Sequence, residues 1–328
     1  MADADAGRVR GAGAWNDYWR LTAETAAHRA GGPQDEALSR FWSSVFSGQF
    51  EGNQASRVLD FACGNGAVTE IALGTAGTAG AEPVLFGFDG AGTAAVAYRA
   101  RFPGAVAVVA DAARTPFPDG AFDMVASQFG LEYAGLDAVD EAARLVARGG
   151  VFAAVVHRRE GALFRECEAN LRAMQRVQAS RILANAKEAF RRGAAAIRGH
   201  GSRSEFQRAE ERFAAAVTEV DRVLADYGDG VAGGTVHRLY ADLGHMYRRL
   251  GAFDPAEVAL WAGRMETEVN AYAGRMSAMV ESALDAAGLR EASARAKARG
   301  LSVRTSEELR TGREGEESAA WVLVCDRP

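Results

Sequence analysis

Cysteine is scarce in this chain, and the few cysteines that occur are far apart. Only three are present among 328 residues, at Cys63, Cys167 and Cys325. Isolated cysteines make neither a disulfide framework nor the short paired spacing of a zinc site, and a low count is typical of a reducing compartment. The histidines outside the predicted sheet have no companion carboxylates at metal spacing. The sequence therefore predicts no bound metal and a cytoplasmic location.

Long apolar runs and a strong excess of one charge are also missing. No stretch approaches the roughly 20 apolar residues that cross a bilayer, and residues 1–13 lack the apolar core of a secretion signal. The net charge of −5 offers no broadly basic surface for nucleic acid. We therefore expect no membrane insertion and no nucleic-acid partner. The content of 48% hydrophobic and 25% charged residues is ordinary for a globular protein.

One glycine-rich segment carries the strongest functional signal. A short apolar strand predicted at residues 57–61 runs into a glycine loop, and a helical pattern begins at Ala67. Such a loop lets a ligand approach backbone N–H groups at a helix N-terminus. The third glycine of a dinucleotide fingerprint is replaced by Thr69, and the carboxylate of Asp60 would repel a pyrophosphate but suit an amine or a sulfonium. The candidate binding residues here are Asp60, Ala62, Cys63, Gly64, Asn65 and Gly66.

Further acidic residues follow the next two predicted strands. Apolar strands alternate with helical stretches, which predicts a parallel α/β sheet with strands at 57–61, 83–88, 105–110, 122–127 and 150–157. Ligands bind such sheets beyond the carboxyl ends of the strands. Asp89, followed by Gly90, is suited to accept hydrogen bonds from both hydroxyls of a ribose. Asp111 is suited to accept from an adenine amine, and Ala112 to donate its backbone N–H.

Taken in order over residues 52–157, these motifs resemble those of class I S-adenosylmethionine-dependent methyltransferases. The run at 128–133 and the segments at 141–146 and 149–150 are similar to the type 11 branch, which contains ubiquinone and menaquinone biosynthesis methyltransferases. The resemblance implies a Rossmann-like, seven-stranded sheet with helices on both faces. It also implies a closing antiparallel hairpin, for which 300–303 and 320–325 are the candidate strands. S-adenosylmethionine would be the cofactor, S-adenosylhomocysteine the product, and Gln128 a further cofactor contact.

A long helical segment interrupts this expected fold between its fifth and sixth strands. Apolar residues recur at helical spacing in four runs, at 164–177, 206–224, 236–250 and 254–288, of which the last is the longest. We predict N-terminal helices at 1–50 covering the site and a cofactor-binding core at 51–159 and 289–328. Residues 160–288 would form an inserted helical subdomain that serves as lid, substrate pocket or homodimer interface. Tyr18 and Trp19, in the aromatic N-terminal segment, are expected to close over the cofactor.

Catalytic residues are harder to identify, because methyl transfer from a sulfonium needs a base only if the acceptor must lose a proton. His157, at the end of the fifth strand, is the first candidate, since histidine side chains titrate near neutral pH. Glu132 and Tyr133, just past the fourth strand, are the next candidates. The expected acceptor is a small molecule, with an oxygen, nitrogen or carbon nucleophile.

Two other functions stay open at this point. One is a nicotinamide-dependent oxidoreductase, which the incomplete glycine fingerprint disfavours. The other is a non-catalytic protein that binds S-adenosylmethionine and assembles through its helical insertion.

Overall fold

The computed structural model describes residues 15, 16, 19, 33–53, 55–311 and 317–328. The chain divides into two compact units. The first, called the sheet unit, comprises Met1–Arg165 and Ala278–Pro328; the second, called the helical unit, is Glu166–Ser277. Within the described residues, no helix combines the length and apolarity needed to cross a membrane.

Among the described residues, a seven-stranded sheet forms the centre of the sheet unit. Its strands are β1 (Arg57–Phe61), β2 (Val84–Asp89), β3 (Val106–Val109), β4 (Phe122–Gln128), β5 (Val146–His157), β6 (Ser302–Thr311) and β7 (Glu317–Asp326). Their order is β3-β2-β1-β4-β5-β7-β6. Strands β1 to β5 are parallel, and β7 lies antiparallel between β5 and β6. The predicted class I methyltransferase sheet, including its closing hairpin, is confirmed.

Two strand boundaries differ clearly from the predicted ones. β5 begins at Val146 rather than at residue 150, because Val146 already pairs with Phe122 before an irregularity in the register. β6 extends to Thr311 instead of ending at residue 303. The additional residues are largely polar and charged, as is common on an edge strand, so they carry no continuous apolar pattern.

The helices are, in chain order, α1 (Pro33–Phe50), α2 (Ala67–Ala79), α3 (Gly92–Arg101), α4 (Asp137–Leu145), α5 (Ala162–Ser180), α6 (Ile182–Ile197), α7 (Arg203–Tyr227), α8 (Thr235–Arg248), α9 (Pro255–Ser282) and α10 (Ala286–Ala298). Short 3-10 helices lie at Leu131–Ala134, Val231–Gly234 and Leu250–Ala252.

Separate apolar cores cover the two faces of the sheet, so the prediction of helices on both faces is confirmed. Along β1, Val58 packs in the core that contains Trp42 of α1. Its neighbour Leu59 packs in the core that contains Leu145 of α4 and Leu289 of α10. This alternation follows from the two-residue side-chain period of a strand. Both faces are apolar, as expected for parallel strands, and the strand ends are left for polar groups.

The helical unit has its own core, contributed by α5 to α9 and centred on residues such as Phe190, Val220 and Leu239. The predicted start of α9 is confirmed, since Asp254 Oδ1 accepts the backbone N–H of Ala256 at 2.9 Å. The expected continuation of this helix to residue 288 is wrong. α9 ends at Ser282, and a new helix, α10, is capped by Asp285, which accepts the N–H of Gly288 at 2.8 Å. Helix α6 was not among the runs predicted from apolar spacing, because much of its buried face is alanine.

Candidate functional site

The loop between β1 and α2 folds tightly at the carboxyl edge of the sheet. Cys63 donates its backbone N–H to Phe88 O at 2.9 Å, and Gly66 donates to Cys63 O at 2.7 Å. Gly64 and Gly66 have φ values of +51° and +82°, a region that favours glycine. A Cβ on Gly64 would lie 2.4 Å from the Trp19 ring. Both glycines are therefore required by the backbone conformation.

Asp60 is a buried carboxylate beneath this loop, only 3% exposed. Its Oδ2 accepts the backbone N–H of Thr69 at 3.2 Å and the Thr69 hydroxyl at 2.7 Å. The same hydroxyl lies 2.9 Å from the Tyr98 hydroxyl. Burial raises the pKa of Asp60 to about 7, with a smaller contribution from the charge of Asp89. The residue that breaks the dinucleotide fingerprint, Thr69, is therefore a hydrogen-bonding partner of the buried acid.

Asp89, at the end of β2, connects the loop to the next strand. Its Oδ2 accepts the N–H of Gly64 at 2.9 Å, and its Oδ1 accepts the N–H of Ala91 at 2.8 Å. Burial raises the pKa of Asp89 despite these hydrogen bonds. A carboxylate has about four lone-pair positions, so each oxygen retains capacity for a ligand hydroxyl. Gly90 follows directly in the chain.

The remaining predicted cofactor contacts lie around this centre with varied exposure. Asp111 is exposed, and its Oδ1 accepts the N–H of Ala113 at 2.9 Å in a local turn; Ala112 is half-buried. The backbone oxygen of Asn65 accepts from Arg101 Nη1 at 3.0 Å. Gln128 Oε1 accepts from Trp42 Nε1 at 2.6 Å. The contacts of these residues with a cofactor remain predictions.

Three N-terminal residues lie against the same edge. Trp19 contacts the glycine loop, since a Cβ added to Gly64 would lie only 2.4 Å from the Trp19 ring. Asn16 accepts the hydroxyl of Thr93, near the start of α3, through its backbone oxygen at 2.9 Å. The rings of Trp15 and Trp19 are 6.4 Å apart. Tyr18, predicted beside them, lies outside the described residues.

The loops that follow β1 and β4 approach each other closely, a contact not predicted from the sequence. Ala62 has a left-handed φ of +58°, which is uncommon for a residue with a side chain. Its Cβ occupies the space beside Gly130, where an added Cβ would lie only 2.6 Å away. Gly130 therefore makes room for a side chain at position 62. No local sequence signal connects these two residues.

The three predicted catalytic residues are brought together. His157 Nδ1 lies 2.6 Å from Glu132 Oε1, and the same oxygen accepts the backbone N–H of His157 at 3.0 Å. The ring of Tyr133 is centred 6.0 Å from the imidazole. His157 and Glu132 are 3% and 4% exposed. The direct contact between Glu132 and His157 was not predicted from the sequence, and the catalytic roles of the three residues stay predictions.

Neither a cysteine nucleophile at Cys63 nor a metal site finds support in the described part of the chain. Burial raises the pKa of the Cys63 thiol well above its usual range, so it is a poor nucleophile. Among the described residues, no group of three histidine, cysteine or acidic side chains is arranged to hold a metal ion.

Comparison with known proteins identifies the core of the sheet unit. Residues 59–154 match the family model described as a methyltransferase domain, and the strand order above is that of the class I fold. This segment is a class I methyltransferase domain. No curated protein sequence matches the chain.

Solved structures resemble part of the chain. An S-adenosylmethionine-dependent methyltransferase from Mesorhizobium loti shares 21% identity over 35% of this chain and 53% of its own, with a TM-score of 0.29. A TehB-like S-adenosylmethionine-dependent methyltransferase from Corynebacterium glutamicum shares 16% identity over 43% of this chain and 70% of its own, with a TM-score of 0.31. The chain spans 61%, 52% and 53% of the length of three solved structures that it matches.

Proposed function

We propose that this chain transfers a methyl group from S-adenosylmethionine to a small-molecule acceptor. The observation that carries the proposal is the placement of two carboxylates, the buried Asp60 and the half-buried Asp89, around the Gly64 loop at the carboxyl edge of the methyltransferase domain. The family match over residues 59–154 implies the use of this cofactor.

The charge of Asp60 supports a cationic ligand. The hydrogen bonds described for its carboxylate come from Thr69, a neutral residue, and burial has raised its pKa to about 7. An ammonium group nearby would stabilise the charged carboxylate. A dinucleotide pyrophosphate would instead be repelled by Asp60 and by Asp89, which disfavours the oxidoreductase alternative.

The proposed cofactor contacts follow the strand ends. Asp60 and the loop Ala62, Cys63, Gly64, Asn65 and Gly66 would hold the amino-acid part. Asp89 and Gly90 would hold the ribose, and Asp111 with Ala112 the adenine. Gln128 and the indole of Trp19 would also contact the cofactor. S-adenosylmethionine supplies a methyl group already activated on sulfur, so the protein mainly binds, aligns and excludes water.

Calorimetric titration of the full chain tests this proposal. We expect S-adenosylmethionine and S-adenosylhomocysteine to bind in the micromolar range or tighter and NAD to show no heat of binding. Failure of both sulfur ligands to bind would refute the proposal, and binding of NAD alone would favour the oxidoreductase. Binding without formation of S-adenosylhomocysteine over a broad acceptor panel would favour the non-catalytic alternative.

A further inference from the structure

We propose that His157 accepts a proton during methyl transfer, that Glu132 positions it, and that the acceptor group is a phenolic hydroxyl. This inference rests on the proposed function, because a base of this kind serves a nucleophile that must lose a proton to accept the methyl group. The pair lies at the edge where cofactor is expected. His157 is the last residue of β5, and Glu132 lies in the short helix Leu131–Ala134 that follows β4.

The contacts of Glu132 determine which imidazole nitrogen is the base. Glu132 Oε1 accepts the backbone N–H of His157 at 3.0 Å, so this oxygen acts as an acceptor. His157 Nδ1, 2.6 Å from the same oxygen, therefore carries a proton and donates it. A neutral imidazole holds one proton, and its lone pair is then on Nε2. A carboxylate that holds an imidazole in this way fixes its tautomer and its orientation.

The second carboxylate oxygen is an independent sign of a ligand. Glu132 Oε2 is buried and has no hydrogen-bond partner among the described residues. The Glu132 side chain is 0% exposed. An unmet acceptor in a buried site is unfavourable, so a second donor on the substrate, next to the hydroxyl that gives its proton to His157, would be stabilised at this oxygen.

The rings around the pair favour an aromatic substrate. The ring of Phe129 is centred 4.4 Å from the imidazole, and that of Tyr133 is centred 6.0 Å from it. Trp15 makes an edge contact with Tyr133 at 5.1 Å. Aromatic rings pack favourably in offset or edge-to-face arrangements, so a planar acceptor ring would pack well against these side chains. Glu132 and Tyr133 are the titratable side chains that these contacts place against His157.

The step balances without a further reactant. The hydroxyl proton moves to His157 Nε2 as the phenolic oxygen forms its bond to the methyl carbon. The bond from that carbon to sulfur breaks, and its electron pair remains on sulfur, so the sulfonium becomes a thioether. The proton on His157 then passes to water.

Methylation assays on full-length protein test the inference with three probes, namely catechol, 4-nitrocatechol and 2-aminophenol. The nitro compound is already ionised at neutral pH and therefore has less need of a base. We expect His157→Gln to slow methylation of catechol by at least about 100-fold but that of 4-nitrocatechol by less than about tenfold. Glu132→Gln should slow catechol methylation by about 10- to 100-fold. His200→Gln, at an exposed position of the helical unit, is the matched control and should match wild type.

Further readouts separate this inference from a structural role and from the proposed function. Product analysis of 2-aminophenol should show an O-methyl product, and nitrogen NMR of labelled histidine should show His157 protonated at Nδ1. An N-methyl product, an Nε2-protonated His157, or equal losses on both catechols would overturn the inference. Normal S-adenosylmethionine binding without transfer to any phenol would also overturn it and leave the cofactor assignment standing. If wild-type protein does not bind S-adenosylmethionine, the proposed function itself is refuted.

Discussion

The sheet unit and the helical unit bury different kinds of residue. Among the described residues, the sheet unit buries Asp60, Glu132, Glu141 and His157, whereas the buried polar residue of the helical unit is Thr235. Burying an ionisable group is costly unless it is paired. Glu141 is paired with Arg144 at 2.6 Å, but Asp60 has only neutral partners described. The comparison indicates that reactive groups are concentrated in the sheet unit, while apolar packing dominates the helical one.

The largest expected effect comes from removing a core side chain of the helical unit. Leu239 is fully buried in that core, so Leu239→Ala should lower the free energy of unfolding by about 2–5 kcal/mol. Urea unfolding followed by circular dichroism measures it. Leu260→Ala, at a position 69% exposed, should change stability by less than about 0.5 kcal/mol. The proposed cofactor residues lie in the sheet unit, so a loss of S-adenosylmethionine affinity in Leu239→Ala would contradict the division of roles.

Removing the Asp89 carboxylate should have its main effect on binding. Asp89 accepts the N–H groups of Gly64 and Ala91, and we assign to it the cofactor ribose. Asp89→Ala should weaken S-adenosylmethionine binding at least about 100-fold, or about 2.7 kcal/mol, by calorimetry. The matched variant is Asp221→Ala, at an exposed position of the helical unit. Comparable affinities for the two variants would show that Asp89 does not bind the cofactor.

Crowding between Ala62 and Gly130 gives an intermediate effect. In Gly130→Ala the new Cβ would lie 2.6 Å from that of Ala62, which should cost about 1–3 kcal/mol of stability. Adding Ala62→Gly removes the opposing side chain and supplies a residue that tolerates positive φ. The double variant should therefore recover most of the loss in urea unfolding. If it is no more stable than Gly130→Ala, the contact is not the cause.

The pH dependence of binding should follow Asp60. Because its pKa is raised to about 7, free protein holds this proton below pH 7 and must release it to bind an ammonium group. S-adenosylmethionine affinity should thus fall about tenfold per pH unit as pH drops from 7 to 5. Without ligand, the folded protein should instead become less stable as pH rises. The stabilisation that protonated Asp60 gives to the folded state is complete below about pH 4 and is lost as pH rises through about 7. Asp60→Asn should abolish both pH dependences. If the pH dependence of binding is unchanged in that variant, a different titrating group causes it.

The smallest effect is expected at the surface of the helical unit. Lys187 Nζ lies 3.3 Å from Glu266, and their side chains are 36% and 52% exposed. Lys187→Ala should change the free energy of unfolding by less than about 1 kcal/mol, and salt should reduce even that. A loss comparable to that of Leu239→Ala in urea unfolding would mean that ion pairs, rather than the apolar core, dominate this unit.

Local patterns were enough to predict much of the fold, including the strand ends and the glycine loop to which we assign the cofactor. In two places an apolar run is followed by an acidic residue and glycines. These patterns predicted the ends of β1 and β2, and with them the positions of Asp60 and Asp89. Helical periodicity predicted most helices between β5 and β6. The pattern failed where it was weak, as in α6, whose buried face contains Ala186 and Ala189, and in the polar edge strand β6.

By itself, the sequence determined which residues stand at strand ends and in the glycine loop, because these depend on neighbours within a few positions. Tertiary structure alone decided that Ala154 of β5 pairs with Leu323 of β7, that Gly130 makes room for Ala62, and that Glu132 meets His157. These contacts join residues far apart in the chain, and no local propensity specifies them. They form because burying both faces of the sheet brings the loops at its carboxyl edge together.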